Sequence, residues 1–304
     1  MAVRYWLYGV GLKSDFTFPY AASKRPGIAE IRLRKWNDAF HSALPFPPAP
    51  TFFQHSHQPD GTTHLRWPGL FEFVIGANGK EIHARQIGRS TLESFHTYLL
   101  GQVVSFALLK QRIEQLHATV VTFDGRALAL TGDCGRGKST LAAALLKRGG
   151  KLLVDDMLVL KSNGKDLLAM PGPPRLKLLP DSAKRVGMSS RNALQMNPLV
   201  EKKIFPICKA EADPVPLHGM YVLAAPHPRT TRTTLRRCSP AEACAQVIAA
   251  AYNLDMELPG RAARQFQWAA SIANGVEVSM LRYRRELSKL DEVAATVEQS
   301  FLRG

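Results

Sequence analysis

The sequence predicts an α/β protein in two parts, a smaller β-rich N-terminal domain over residues 1–88 and a P-loop domain over 89–304. Three observations predict it. Up to Ile82 the apolar residues fall in short alternating runs separated by Gly, Pro and Asn, the pattern of strands and turns. From Ser90 the period becomes helical, with Leu92, Phe95, Leu99 and Val103 on one face. The stretch Gly132-Asp-Cys-Gly-Arg-Gly-Lys-Ser139 lies between a strand pattern and a helix pattern, the setting a phosphate-binding glycine loop requires.

The elements follow in order. RYWLYGVGL is aromatic and β-branched. SALPFPPAPTFF is too rich in Pro for anything but a loop or an edge segment. FEFVIGANGKEIHA predicts a hairpin around a two-residue Asn78-Gly79 turn of type I′. Ser90 and Glu93 form the pattern of a capping box, opening a helix over 91–113 that bridges the two parts. LHATVVTF and RALALTG predict a second hairpin about Asp124-Gly125, whose second strand feeds the glycine loop. A helix follows from Lys138, closed by Gly149-Gly150. KLLVDDMLVL is nearly all apolar and predicts a central strand buried on both faces. A third hairpin turns at Asn163-Gly164, and PVPLHGMYVLAA is a further strand. SPAEACAQVIAAAYN and SKLDEVAATVEQSFL predict helices, each opened by a Ser cap.

A hydrophobic content of 45% over 304 residues excludes a mostly disordered chain. No apolar run reaches the ~18 residues of a membrane span. The N-terminus lacks the core of a signal peptide and is expected to be structural. Four cysteines without CxxC spacing fit a reducing cytoplasm, with neither a disulfide frame nor a zinc site. Lys+Arg exceed Asp+Glu by 40 − 25 = 15. That field favours an acidic partner, although a basic proteome yields the same balance. No RNA-binding signature, zinc finger or basic zipper accompanies it, so nucleic acid is not expected as a partner.

The chemistry concentrates around the loop. Gly132, Asp133, Cys134, Gly135, Arg136, Gly137, Lys138, Ser139 and Thr140 are the expected nucleotide-binding residues. Glycines let successive N–H groups turn inward onto phosphate oxygens, and the helix end adds its positive dipole. Lys138 is expected to reach the outer phosphates of ATP, and Ser139 to hold Mg²⁺. Asp155-Asp156 ends the next buried strand, where carboxylates are costly unless solvated or paired with a metal. One can serve Mg²⁺ and the other can take a proton; the residues alone leave open which does which. His117 starts the strand paired with the one that feeds the loop, and a lone histidine there is by itself more often packed than functional. Weaker signals are Arg175 and Lys177 as phosphate or peptide contacts, and Lys202 and Lys203 as side chains entering the site with substrate. Cys134 is a candidate for oxidation beside a helix end, and His55 and His57 form an incomplete metal set.

The run LHATVVTFDGRALALTGDCGRGKSTLAAALLKRGGKLLVDDMLVL resembles the core of the HPr kinase/phosphorylase superfamily. It has that family's order: His on the first strand, a hairpin before the P-loop, KRG, then a strand with DD. It is most similar to the HPr-kinase-like proteins of lasso-peptide and other peptide-modifying clusters. PGPPRLKLLPDSAKRVG, PVPLHGMYVL and the N-terminal YGVGLKSDFTFP extend the similarity over most of the chain, with the motif-specific part confined to the run. The resemblance implies an ATP- and Mg²⁺-dependent serine kinase. Asp155 would be the base, His117 would orient it, Lys138 would stabilise charge, and Asp156 with Ser139 would surround Mg²⁺. Thr140 stands where bifunctional members carry an acidic residue, and an EVRGLGI-like segment is absent, which implies a kinase without phosphorolysis and without HPr as acceptor. The expected acceptor is a Ser of a peptide or protein, foremost the C-terminal Ser of a lasso precursor. The rivals are a kinase of a folded protein or a small molecule, and a non-catalytic, nucleotide-switched binding module. The resemblance leaves a homo-oligomer open.

Overall fold

The structure, a computed structural model, describes residues 2–37, 52–88, 90–197, 200–227, 229–254 and 258–303. Most of the Pro-rich passage 42–53 lies outside the described residues. The fold is mixed α/β with several sheets. Two compact units are present, Met1–Ile113 with Gln195–Val200, and Glu114–Leu194 with Glu201–Gly304. The division falls after Ile113, not after 88.

The first unit holds β1 (Val3–Leu7), β2 (Val10–Ser14), β3 (Glu30–Lys35), β4 (Gln54–His57), β5 (Thr63–Trp67), β6 (Phe71–Ile75) and β7 (Glu81–Gln86). They form one sheet in the order β1-β2-β3-β7-β6-β5-β4. Tyr8 and Gly9 both have positive φ, 59° and 74°, and make the tight turn between β1 and β2. The β6–β7 hairpin is wider than expected. Ile75 pairs with Ile82, and Asn78 is not left-handed; its Oδ1 instead accepts from the Lys80 N–H at 2.9 Å, while Gly79 alone takes φ 69°.

The helix that follows is α1 (Leu92–Tyr98), a π-helical turn (Leu99–Val103) and α2 (Val104–Lys110). Its cap is Thr91, one residue beyond Ser90, with the hydroxyl accepting from Ser94 N–H. The helix belongs to the first unit because its aromatic residues do. Phe95 lies 5.6 Å from Phe73 and 5.9 Å from Phe71 between ring centroids, and Tyr98 lies 4.9 Å from Trp67.

The second unit opens with β8 (Gln115–His117), β9 (Thr119–Phe123) and β10 (Arg126–Thr131), then α3 (Lys138–Lys147). Next come β11 (Lys151–Val154), β12 (Met157–Ser162), β13 (Leu167–Ala169), β14 (Arg175–Leu178), α4 (Pro180–Arg185), β15 (Leu194–Asn197), β16 (Val200–Pro206) and β17 (Val215–Leu223). The chain closes through β18 (Thr234–Arg237), α5 (Pro240–Ala250), α6 (Arg261–Gly275), β19 (Glu277–Arg282) and α7 (Leu290–Arg303). The main sheet runs β11-β9-β10-β17-β13-β12-β8, with β19 also on β17 and β18 on β19. Strand β17 pairs in parallel with both β10 and β19.

The Asp124-Gly125 turn is the two-residue hairpin expected, with φ 49° and 72° and Arg126 opposite Phe123. Two long strand patterns are each split. LHATVVTF breaks at Ala118, so that β8 pairs with β12 while only β9 pairs with β10. KLLVDDMLVL breaks at Asp155-Asp156, and β11 stands at the end of the sheet path, not at its centre. Its apolar residues are buried all the same, because Leu152 shares a core with Leu141 and Leu145 of α3 and with Val121 and Leu128. Leu290, Val293, Val297 and Phe301 of α7 close that core, each such burial contributing about 1.5–3 kcal/mol. Ser239 caps α5 in a full capping box, whereas Ser288 lies inside a 3₁₀ turn ahead of α7. Among the described residues no helix is long and apolar enough to cross a membrane.

Candidate functional site

The loop between β10 and α3 takes its shape from three glycines, with φ 125° at Gly132, 77° at Gly135 and 96° at Gly137. A Cβ at Gly132 would stand 2.9 Å from the Leu223 carbonyl oxygen, so this position needs glycine on steric grounds as well. Gly137 caps α3 with no side-chain bond to the first turn, which leaves backbone N–H donors directed into the loop. Lys138 is 6% exposed and bends back to donate to the carbonyls of Gly132 at 2.7 Å and Asp133 at 3.2 Å. Burial holds its pKa below the ordinary lysine value, against the pull of Asp156. The outer wall of the loop is tied down from the chain after β19. Tyr283 donates to Arg136 O at 3.2 Å, and Arg285 to Gly135 O at 2.6 Å. Asp133 and Arg136 pair with each other at 2.6 Å on the outside, and Cys134 is exposed. Thr140 turns away, its hydroxyl donating to Ser182 Oγ of α4 at 3.1 Å.

The two carboxylates diverge. Asp155 is 6% exposed and fully engaged. Its Oδ1 accepts from Thr119 Oγ1 at 2.7 Å and Ser139 Oγ at 3.0 Å, and its Oδ2 from the Lys177 N–H at 2.9 Å. Asp156 takes φ 82°, a left-handed conformation uncommon outside glycine. Its side chain meets His117 Nε2 of β8 at 4.0 Å and Lys177 Nζ of β14 in an ion pair. Burial raises the Asp156 pKa, but the Lys177 ammonium and His117 outweigh it and hold the carboxyl well below the usual range. Burial lowers the His117 pKa more than Asp156 raises it, with Lys138 and Lys177 adding to the depression, so the imidazole is neutral near pH 7.

The grouping implied by the resemblance is therefore exchanged. Ser139 sits with Asp155, not with Asp156, and His117 sits with Asp156, not with Asp155. Strand splitting is the cause, since His117 faces Met157 across β8–β12 and so meets the first side chain preceding β12. The charge of Lys202 also acts on this cluster, lowering the pKa of both Lys138 and Asp156 as a minor cause. Arg175 and Lys177 are both buried, not on a solvated face. His55 and His57 lie in the first unit with rings 5.7 Å apart, and among the described residues no cluster of three or more His, Cys, Asp or Glu is placed to hold a metal.

Two members were not read from the sequence. Thr119 is a polar residue inside the apolar run LHATVVTF, which was available as a signal; it opens β9, whereas His117 closes β8. Tyr252 has no such signal. Its hydroxyl donates to the Asp156 carbonyl at 3.1 Å, and its ring stacks on His117 at 5.7 Å with planes inclined by 20°.

No family model matches the chain. Among solved structures it is similar to the Hpr(Ser) kinase/phosphatase from Coxiella burnetii, at 17% identity over 62% of this chain and 99% of that chain, with a TM-score of 0.33.

Proposed function

We propose that this chain is an ATP-dependent phosphotransferase that phosphorylates a serine hydroxyl. The observation that carries the reading is the convergence of a three-glycine loop and a buried lysine on two carboxylates with separate partners. The loop fits a polyphosphate, because its glycine conformations, uncapped helix start and desolvated Lys138 supply donors, while the loop carboxylate Asp133 is paired outward with Arg136. Ser139 and Asp155 fit Mg²⁺, which is held by one or two protein oxygens and completed by phosphate and water. Bound Mg-ATP would supply the γ-phosphoryl group.

The remaining roles belong to the chain. Lys138 exchanges its two carbonyl partners for phosphate oxygens and offsets their charge. Thr119 and the Lys177 N–H hold Asp155 fixed while Ser139 turns to the metal. Asp156 accepts the proton of the acceptor hydroxyl, with neutral His117 beside it. Lys177 makes Asp156 a weak base, so its main contribution is to place the hydroxyl, which suits a loose transition state with little covalent chemistry for the protein. Lys202 meets negative charge on the acceptor or product. The finer assignment, a peptide acceptor of the lasso-precursor kind, rests on the sequence resemblance.

The test is mass spectrometry of candidate peptides incubated with the protein and Mg-ATP. A phosphate gained on Ser and lost in Lys138→Ala supports the reading; no transfer to peptide, protein or small-molecule acceptors refutes it. The Asp156–Lys177 ion pair favours one rival, a nucleotide-switched binding module, since it weakens Asp156 as a base. That rival predicts ATP binding with no turnover at all.

A further inference from the structure

We propose that Tyr252 is a positioning residue that sets the His117 imidazole and the Asp156 backbone in their working geometry. The assignment rests on the roles given above to those two residues. Tyr252 lies past the end of α5, and its segment is pinned to the strand that carries His117. Ala251 bridges Leu116, and the Tyr252 N–H donates to Gln115 O at 3.0 Å, so the segment runs as a short edge along β8. From there the ring covers one face of His117, and the hydroxyl reaches the Asp156 carbonyl. That carbonyl also accepts from Ala118 N–H at 3.2 Å. Two donors therefore hold the peptide that follows a left-handed, non-glycine residue. Such a conformation is strained and persists where its surroundings over-determine it.

The segment is anchored from behind by a buried ion pair. Arg261, 1% exposed at the start of α6, donates to both oxygens of Glu114 at 3.2 and 3.0 Å and also to the Tyr252 carbonyl. Gln265 Nε2 donates to Asn253 Oδ1 at 2.7 Å. A paired charge inside the protein is costly to separate, so Arg261 is a stiff support and not an adaptable one. Stacking then removes one of the two sides from which His117 could turn, and leaves its Nε2 aimed at Asp156.

The experiment compares Tyr252→Leu, which loses ring and hydroxyl, with Tyr252→Phe, which loses the hydroxyl alone. Two readouts are taken in the full chain: the His117 ring-proton shifts by NMR, assigned with His117→Gln, and the kcat and KM of Mg-ATP turnover. The stacked ring shields those protons. In Tyr252→Leu they are expected to move downfield, and kcat to fall on the order of ten- to a hundredfold with the KM for ATP unchanged. In Tyr252→Phe the shifts should stay near wild type and kcat should fall less. Unmoved His117 signals in Tyr252→Leu, or a raised KM with kcat preserved, would overturn the proposal. If Tyr252→Leu does not fold, wild-type kcat in Tyr252→Phe overturns the part assigned to the hydroxyl. Wild-type protein that binds ATP without turning it over, with the ring signals moving as described, would defeat the kinase reading and uphold the placement of His117 by Tyr252.

Discussion

The two units handle charge in opposite ways. In the first, the charged pairs sit on partly exposed strand faces, as with Arg34–Glu81 at 2.9 Å and Arg85–Glu72 at 2.7 Å. Among the described residues every buried Asp, Glu, Lys and Arg belongs to the second unit: Glu114, Lys138, Asp155, Arg175, Lys177 and Arg261. Burying an ion costs several kcal/mol unless its partners are well placed. A fold that does so repeatedly within one unit is holding charge where water cannot relax around it, which is the condition of a reactive site. Among its described residues the first unit buries no such charge and has the character of a scaffold built on aromatic packing.

The largest expected effects test whether the two neighbouring carboxylates have different work. Asp156→Asn should lower the rate of transfer by about 10²-fold or more while ATP affinity stays near wild type. Asp155→Asn should instead shift the Mg²⁺ concentration needed for half-maximal rate. Steady-state kinetics across a Mg²⁺ series separates them, and identical profiles would show that the divergence at Asp156 has no functional meaning.

Gly132→Ala probes the loop as a strained element. Its φ of 125° and the 2.9 Å approach to Leu223 O predict a loss of about 1–3 kcal/mol in urea denaturation, together with weaker ATP binding. A variant as stable as wild type would mean that the loop relaxes freely. The first unit supplies the counterpart. Glu81→Gln, in a pair whose side chains are each 38% exposed, should cost under about 1 kcal/mol and leave ATP kinetics untouched. A larger loss would erase the contrast between the units.

The smallest effect is a slope. The His117 pKa is lower in the folded protein than in the unfolded chain, so the unfolded chain takes up a proton first. Stability is therefore complete above the unfolded value of about 6.5 and declines as pH falls through it toward the folded value. Between about pH 7 and pH 5 the wild-type Tm should drop more than that of His117→Phe. Equal slopes would show that His117 is not held neutral.

The sequence by itself determined what depends on neighbours along the chain. The glycine loop, the helix from Lys138, the Asp124-Gly125 turn and the Ser239 capping box are all short-range patterns, each set by backbone conformations a few residues can dictate. It also marked Lys138, Ser139, His117 and the carboxylate pair as the residues to watch. It did not reveal that LHATVVTF and KLLVDDMLVL break, because an apolar run reads the same whether it continues in one sheet or switches partners. Nor did it show β18, α6 and β19; the buried face of α6 opens with Arg261 and Gln265, which no hydrophobic pattern marks as inward. Which carboxylate meets Ser139 and which meets His117 was decided by tertiary structure alone. It follows from the left-handed turn at Asp156 and from the pairing of β8 with β12, and the stack of Tyr252 on His117 joins segments far apart in the chain. Such contacts depend on how distant strands close together, and local spacing carries no record of that.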